Sequence, residues 1–469
     1  MPKKVERIRD PIHNIVPFEM DNPFEHMLWE LIQQSPFQRL RRIKQLGFSE
    51  FVYPGATHSR FAHSVGTFHT ARQLMKIVQS YLGVEFEERP ARVALTACLC
   101  HDLGHGALSH AFHDVIRVSN IDFPKHELVS RDLVLEMDKV LGGIDGAFAR
   151  DVAHLIERTA SETNTPRTIY DAVVSSQFDA DRLDYMRRDR IMAGSLHGAI
   201  DYDWLLANLE IEKVSVSEEA SAPRVPTFVV GRKALHAAEA YVLALFQLYP
   251  TIYFHKATRG AEVIFIELMR LVIENARGAG GADPVLPANH PISKFARSPD
   301  LNSYKDLDDT VCWGSLWQLR KCGSERIADL ASRLLERRLL KCFDARDIIH
   351  RRLRDTKDRT EREEATDAAL KSLRQRVDTY RSISKKLILY DTYERSPYHK
   401  LVSGRSALNQ IMARDASGGI YDLAELSPAV GAVQNFKVNR YYYDREDGDC
   451  AEALASLVDE AMKHPPMRE

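Results

Sequence analysis

The run Val93-Ala94-Leu95-Thr96-Ala97-Cys98-Leu99-Cys100 is apolar around most of its circumference and passes directly into His101-Asp102. A helix of that composition has no face to offer water, so the chain must build layers thick enough to surround it. The same burial puts an imidazole and a carboxylate at the mouth of the helix, where both are costly unless paired or bound to a metal. Helical spacing of apolar residues recurs over Phe24 to Gln34, Ser64 to Tyr81, and residues 126–141, 146–161, 166–193 and 232–275. Phe37, Leu40, Ile43 and Leu46 keep that spacing up to Gly47, which reads as a stop. The expected fold class is mainly α.

With 469 residues and 53.4 kDa, the chain has room for about three ordinary domains, or one large core with appendages. The stretch from Gly278 to Pro284, Gly-Ala-Gly-Gly-Ala-Asp-Pro, reads as a loop and is the best internal boundary. It separates a core at 1–275 from a helical and mixed C-terminal region at 276–469, a candidate for oligomerisation or regulation. In that second region Ile327 to Leu340 is amphipathic and Arg346 to Tyr380 is a long, charged helical stretch. Between Arg333 and Arg362 eleven Lys/Arg face six Asp/Glu, which reads first as a solvated helix laced with i,i+4 pairs and second as a face for phosphate or nucleic acid. Leu387-Ile388-Leu389-Tyr390 and Asn439-Arg440-Tyr441-Tyr442-Tyr443 look like strands. No apolar run approaches the ~18–20 residues needed to span a bilayer, and the charged N-terminus lacks the apolar stretch of a secretory signal. The six cysteines are scattered, without metal or disulfide spacing. These features give the expectation of a reduced, cytoplasmic protein, and a net charge of −2 leaves no bulk field to draw it to nucleic acid or membranes.

The histidines point to the chemistry. Eight of the 18 lie between His58 and His126, where uniform scatter would place about three. Imidazole and carboxylate together, as in His101-Asp102, suit Mn, Fe, Zn, Ni or Co, and Mg less well. Gly104 and Gly106 flank His105, so the backbone there can approach a ligand closely. A second acidic group, Asp179-Ala180-Asp181-Arg182 with Asp184, Tyr185, Arg188 and Asp189, could complete a metal shell, with Arg182 and Tyr185 left to meet anionic oxygens. Taken alone, a His-Asp dipeptide is usually structural and an Asp-rich helix face usually solvated; their conjunction with His63 shifts the balance.

His63, His101-Asp102 and the distant Asp181 resemble the H…HD…D signature of the HD phosphohydrolase superfamily. Further segments fall in order: Arg9 to His13, Phe37 to Gly47, Tyr53 to Ala56, His58-Ser59-Arg60-Phe61, His101 to Gly106, Ser109-His110, His126-Glu127 and Asp179 to Asp189. Together they look like the branch of bacterial dNTP triphosphohydrolases and the vertebrate sterile-alpha-motif/HD-domain dNTPase. The resemblance implies an HD-domain helical core with a smaller α+β C-terminal region. It also implies one divalent metal ion held by His63, His101, Asp102 and Asp181. His126 matches the catalytic histidine, with His105 and His110 beside it. Arg60, Arg182 and Tyr185 match positions that meet the triphosphate, and Gln45 and Asp189 those that read the sugar 3′-hydroxyl. The reaction implied is hydrolysis of a dNTP to a deoxynucleoside and inorganic triphosphate, by a homo-oligomer with an activating nucleotide as a further partner.

Three positions depart from the pattern. His113 stands where an aspartate usually supports the catalytic histidine, with Asp114 one step on. Leu245 replaces an arginine of the phosphate clamp, a role that would then fall to Lys256 or Arg259. Gln33 and Gln34 stand where an aspartate reads an activating guanine nucleotide, although Gln38 and Arg41 remain. His113 and Leu245 leave room for an HD-type phosphodiesterase or nuclease acting on single-stranded nucleic acid or cyclic or modified nucleotides. A third reading is a regulatory nucleic-acid-binding protein with a vestigial site.

Overall fold

The computed structural model describes residues 4–160, 167–215, 224–278, 283–354, 358–398 and 410–463. The apolar segment forms α3 (Glu88–Cys100), and it is surrounded as its composition demands, with Val93, Ala94, Thr96, Ala97, Cys98, Leu99 and Cys100 all buried. Its neighbours are α2 (Arg60–Leu82), α6 (Phe148–Thr159) and a short helix at Ile169–Val174. A first helix, α1 (Pro23–Ile32), is capped by Asn22 and starts with Pro23, which has no N–H to lose there. An antiparallel hairpin of β1 (Val5–Asp10) and β2 (Asn14–Glu19) precedes it.

Several helices stop earlier than apolar spacing alone suggests. The run Phe37 to Leu46 is helical only from Ser35 to Arg42, because Lys44 leaves the helix to form a β-bridge with Ser59. The segment at 166–193 is interrupted, and α7 (Ala180–Met192) begins afresh with Asp179 as its N-cap. Residues 161–166, where two of the expected helices abut, lie outside the described residues. The stretch at 232–275 contains Pro250, which cannot donate to an α-helical turn. It divides into α8 (Leu235–Leu248), one wide turn at Tyr249–Tyr253, and α9 (Lys256–Ala276).

The core does not stop near residue 275. Leu286, Phe295, Tyr304, Leu316, Leu330 and Leu334 belong to the same buried cluster as α2, α3 and α9. Most of the expected boundary loop, residues 279–282, lies outside the described residues. A separate buried cluster forms further along, from α10 (Ala345–Arg352), α11 (Arg359–Ser384) and α12 (Cys450–Lys463), on a sheet of β5 (Lys341–Asp344), β6 (Ile388–Arg395) and β9 (Phe436–Tyr443). Strand order there is β5-β9-β6, all antiparallel, with β6 paired to β9 from Ile388↔Tyr443 to Arg395↔Phe436. A second sheet joins β3 (Leu209–Ser215), β4 (Arg224–Val230), β7 (Met412–Arg414) and β8 (Ile420–Asp422).

The basic stretch of this C-terminal lobe is largely paired within itself. Arg333 meets Asp329 and Asp444, Arg346 meets Glu363 and Asp367, Arg352 meets Asp459, and Arg376 meets Glu460. That is the solvated, self-neutralised helix surface rather than a row of free cations. Among the described residues no helix is long and apolar enough to cross a membrane.

One ion-pair network ties the N-terminal hairpin to the helical core. Arg188 on α7 is fully buried and donates to Asp184 one turn before it and to Asp10 at the end of β1, at 2.8 Å in each case. Gly66 on α2 gives this pair its space, since a Cβ there would overlap both the Asp184 carboxylate and the Arg188 guanidinium. Arg188→Met should destabilise the protein by about 3–5 kcal/mol, because two buried carboxylates lose their cation; denaturant unfolding measures it.

Candidate active site

One cavity of about 440 Å³ collects the polar ends of these elements. The first turn of α2 brings Arg60 and His63, one turn apart on one face. The loop after α3 brings His101, Asp102 and His105. The N-termini of α4 (His110–Val118) and α5 (His126–Glu136) bring His110 and His126, and α7 brings Asp181, Arg182, Tyr185 and Asp189. Gln45 enters from the extended segment after Arg42, and the wide turn before α9 adds Tyr249 and Tyr253. Of the residues that the resemblance gives a metal, catalytic or substrate role, only Lys256 is absent from the lining. It is the first residue of α9 and its side chain is exposed, whereas Arg259, one turn on, is buried and faces the cavity. Tyr393 and Arg395 of β6 also line it, so the C-terminal lobe forms part of the wall.

The geometry suits a metal ion. His63, His101 and Asp102 each offer an atom within 4.8 Å of the others. Asp181 is not part of that mutual grouping, but its Oδ1 lies 2.9 Å from His63 Nε2 and 3.5 Å from His101 Nε2. Both imidazoles are fixed from behind. His101 Nδ1 pairs with the Cys98 carbonyl at 2.8 Å, and its buried Nε2 has no hydrogen-bond partner among the described residues. His63 Nδ1 pairs with Asp184 Oδ2 at 2.9 Å. Nδ1–H donation to a carbonyl or carboxylate leaves an Nε2 lone pair directed outward, the arrangement of metal-ligating histidines. Burial disfavours a charged His63, yet Asp181 and Asp184 outweigh it and push its pKa up to about 10. The cluster thus draws positive charge to the spot that a divalent ion would fill. Burial also opposes ionisation of Asp102, but Arg60, His101 and His105 hold its carboxyl well below the usual range.

A second group of histidines sits alongside. The His105 and His126 rings are 3.9 Å apart, with His110 at 5.2 Å from His105 and 5.9 Å from His126. Burial, reinforced by the Arg60 charge, drives His105 well below the ordinary imidazole range and takes His110 to about 3. Burial takes His126 to about 3 as well. His113 is 6.1 Å from His126 ring to ring, while Asp114 is paired with Arg117 on the same helix. The carboxylate beside His126 is Glu127, 3.4 Å from Nδ1.

The glycines around His105 have a different reason from close approach to a ligand. A Cβ on Gly104 would overlap the His126 carbonyl and the Ser130 amide, and one on Gly106 would crowd Tyr304 and Phe112. Both are packing glycines that seat the loop against α5 and the chain beyond residue 300. The same loop is braced by Tyr304 Oη donating to the Gly104 carbonyl at 2.9 Å and Arg39 donating to the His105 carbonyl at 2.8 Å. Asp309 accepts from the Leu108 and Lys44 amides at 2.6 and 2.9 Å.

At the sugar-reading positions, Asp189 is buried and its two oxygens are taken by His58 Nε2 at 2.8 Å and Tyr253 Oη at 2.9 Å. Gln45 Oε1 is buried without a hydrogen-bond partner among the described residues. Sequence reasoning gave no individual role to Asp184, Arg188, His58, Tyr253 or Arg395. Asp184 and Arg188 had a usable signal, since Asp181, Asp184 and Arg188 recur at i, i+3 and i+7 on one helix face. Arg395 had none, because its position depends on how β6 docks.

The sequence pattern of the HD domain family matches residues 60–186, the span that carries His63, His101, Asp102 and Asp181. An uncharacterized protein of Bacillus subtilis, YwfO, is 31% identical over 338 residues, 71% of this chain and 70% of that one. The chain belongs to the HD-domain phosphohydrolase superfamily. A deoxynucleoside triphosphate triphosphohydrolase SAMHD1 homolog of Dictyostelium discoideum is 34% identical over 200 residues, 41% of this chain and 37% of that one. The crystal structure of a Bacteroides thetaiotaomicron phosphohydrolase has the same fold, with a TM-score of 0.70 at 23% identity over 94% of this chain and 100% of that one. This HD-domain protein is therefore a hydrolase, of a superfamily whose chemistry is metal-dependent.

Asp184 offers a test that leaves every candidate ligand in place. Asp184→Asn should weaken Mn²⁺ binding by about 10–100-fold, as expected when the carboxylate behind a ligating histidine is neutralised; titration of the purified protein with Mn²⁺ reads this out.

Proposed function

We propose that this chain is a metal-dependent deoxynucleoside triphosphate triphosphohydrolase, cleaving a dNTP to a deoxynucleoside and inorganic triphosphate. The observation that carries the reading is the presence of three chemistries in one cavity: imidazole–carboxylate donors, guanidiniums, and the Gln45–Asp189 pair suited to a hydroxyl. The similarity to the Dictyostelium deoxynucleoside triphosphate triphosphohydrolase homolog supports it. His63, His101, Asp102 and Asp181 would hold the divalent ion, and this mixed set suits Mn, Fe, Zn, Ni or Co better than Mg. When bound, such an ion supplies Lewis-acid polarisation of a phosphate oxygen and an acidified water.

The chain's own residues account for the rest. Arg60 and Arg182 neutralise phosphate oxygens through charge-assisted hydrogen bonds, and Tyr185 lines the same wall. Asp189, gripped by His58 and Tyr253, accepts the sugar hydroxyl together with Gln45. In the reaction a water oxygen bonds to the α-phosphorus and gives up a proton to solvent, the bond from that phosphorus to the sugar 5′-oxygen breaks, and the departing oxygen takes up a proton. His126, flanked by His105 and His110, supplies that proton. Burial keeps His126 neutral in the free protein. Polyphosphate charge arriving beside it favours the imidazolium, so the acid forms when substrate is present. Leu245 in place of a clamp arginine is the feature that favours the phosphodiesterase reading, and the products separate the two.

Incubation with Mn²⁺ or Mg²⁺ and the four dNTPs, singly and mixed, followed by ion-pair chromatography, should yield deoxynucleoside and intact triphosphate. Turnover confined to mixtures would add an activating nucleotide; nucleoside mono- or diphosphate products would sink the triphosphohydrolase reading. Asp102→Ala should lose bound metal and activity together, with residual activity below about 1% of wild type, since removing a metal ligand removes the Lewis acid.

A further inference from the structure

We propose that Arg395 grips the outermost phosphate of the substrate, so that the C-terminal lobe, and not the HD core, supplies this part of the site. The inference rests on the triphosphate reading above and assigns the cation that Leu245 leaves missing from it.

The first observation is placement. Arg395 ends β6 and lines the cavity together with Tyr393, two residues earlier and hence on the same side of the strand. Its guanidinium lies 4.8 Å from the Tyr393 ring centroid, with Nη2 3.4 Å from the hydroxyl. It also lines a second, larger cavity of about 1430 Å³, which shares Arg182, Tyr249 and Arg395 with the first. Arg395 therefore stands where the two spaces meet, on the route by which a polyanion would enter.

The second observation is charge. Arg60 is committed to Asp102 at 2.5 Å, and Arg182 lies 3.8 Å from Asp179. Arg259, the residue that could have replaced the clamp arginine, is buried between Asp391 at 2.6 Å and Glu262. Arg395 is exposed and has no carboxylate partner among the described residues. Of the arginines lining the site it is the one whose full charge is free to meet phosphate.

The third observation is support. Ser396 accepts from Tyr249 Oη at 3.5 Å, and the Tyr249 amide is bonded to the Leu245 carbonyl one turn back on α8. The end of β6 is thus tied to Tyr249, which lines the cavity one turn after the buried Leu245. Arg259 to Asp391 fixes β6 on α9, and Arg440 of β9 donates to the Phe254 carbonyl at 2.6 Å. A guanidinium carried on a strand held at both sheet positions is pre-positioned, which is what bidentate phosphate recognition requires.

The test compares wild type with Arg395→Ala and Arg395→Lys, in the presence of Mn²⁺, by dATP kinetics and by calorimetric binding of inorganic triphosphate and of deoxyadenosine. Arg395→Ala should raise KM for dATP and Kd for triphosphate by about tenfold or more, the loss of charge-assisted hydrogen bonds to one phosphate. Its kcat should stay within about twofold, since uniform binding is removed, and deoxyadenosine affinity should not change. Arg395→Lys should recover part of the loss, and unchanged thermal unfolding midpoints would exclude a folding defect. Unaltered triphosphate affinity in Arg395→Ala overturns the proposal, as does an equal weakening of deoxyadenosine or a wild type that binds no triphosphate. If wild type binds triphosphate but hydrolyses no dNTP, the triphosphohydrolase reading fails, and the triphosphate arm still decides the role of Arg395.

Discussion

The Asp184 carboxylate is wholly shut off from solvent, and donors surround it: His63, His13 and two nitrogens of Arg188. A buried charge of this kind is costly to desolvate, and its partners recover that cost only if each holds its geometry. Asp184 therefore imposes order in two directions. Towards the cavity it fixes the ring of His63 and hence the direction of the outward Nε2 lone pair. Away from the cavity it draws in Arg188, through which Asp10 and the N-terminal hairpin are held against α7. The stability of the hairpin and the orientation of a metal donor are thus parts of one electrostatic balance.

The cavity is composite in a way that domain language obscures. Residues beyond 300 brace the loop of His101 to Leu108 through Tyr304 and Asp309, and β6 closes another side through Tyr393 and Arg395. The described residues hold two large buried cores and a small third, yet elements of both large ones reach this one space. Polar bonds such as Tyr442 Oη to the Lys256 carbonyl at 2.9 Å join the C-terminal sheet to the start of α9, beside the cavity wall.

What the sequence made legible was what chemistry concentrates locally. A helix too apolar for water that ends in His-Asp, and a surplus of histidines around it, marked the donor groups, and all the residues given a metal, catalytic or substrate role except Lys256 line the cavity. The strands of residues 388–395 and 436–443 were readable from their β-branched and aromatic runs. The hairpin at the N-terminus and the β3–β4 pair went unread, although Leu209-Glu210-Ile211-Glu212 alternates as a half-buried strand does. Helix ends were misjudged wherever apolar spacing continued across a break made by something else: Lys44 pairing with Ser59, Asp179 restarting a helix, Pro250 refusing a turn. Long-range partners such as Asp10 with Arg188, or Arg395 with the cavity, leave no local trace, because their proximity is a property of the packed chain.

The bond from His101 Nδ1 to the Cys98 carbonyl makes the last turn of α3 its own aiming device. The donor's heading is locked to the angular phase of the helix that carries it, and a helix advances about 100° for each residue. Side chains along Glu88–Cys100 can be exchanged for others of similar bulk with the aim preserved. A single inserted or deleted residue between the packed faces and His101 would swing the imidazole a quarter turn or more off the shared point. This region thus tolerates change in composition but not in count, and the distance from the helix's buried faces to its terminal pair acts as a ruler.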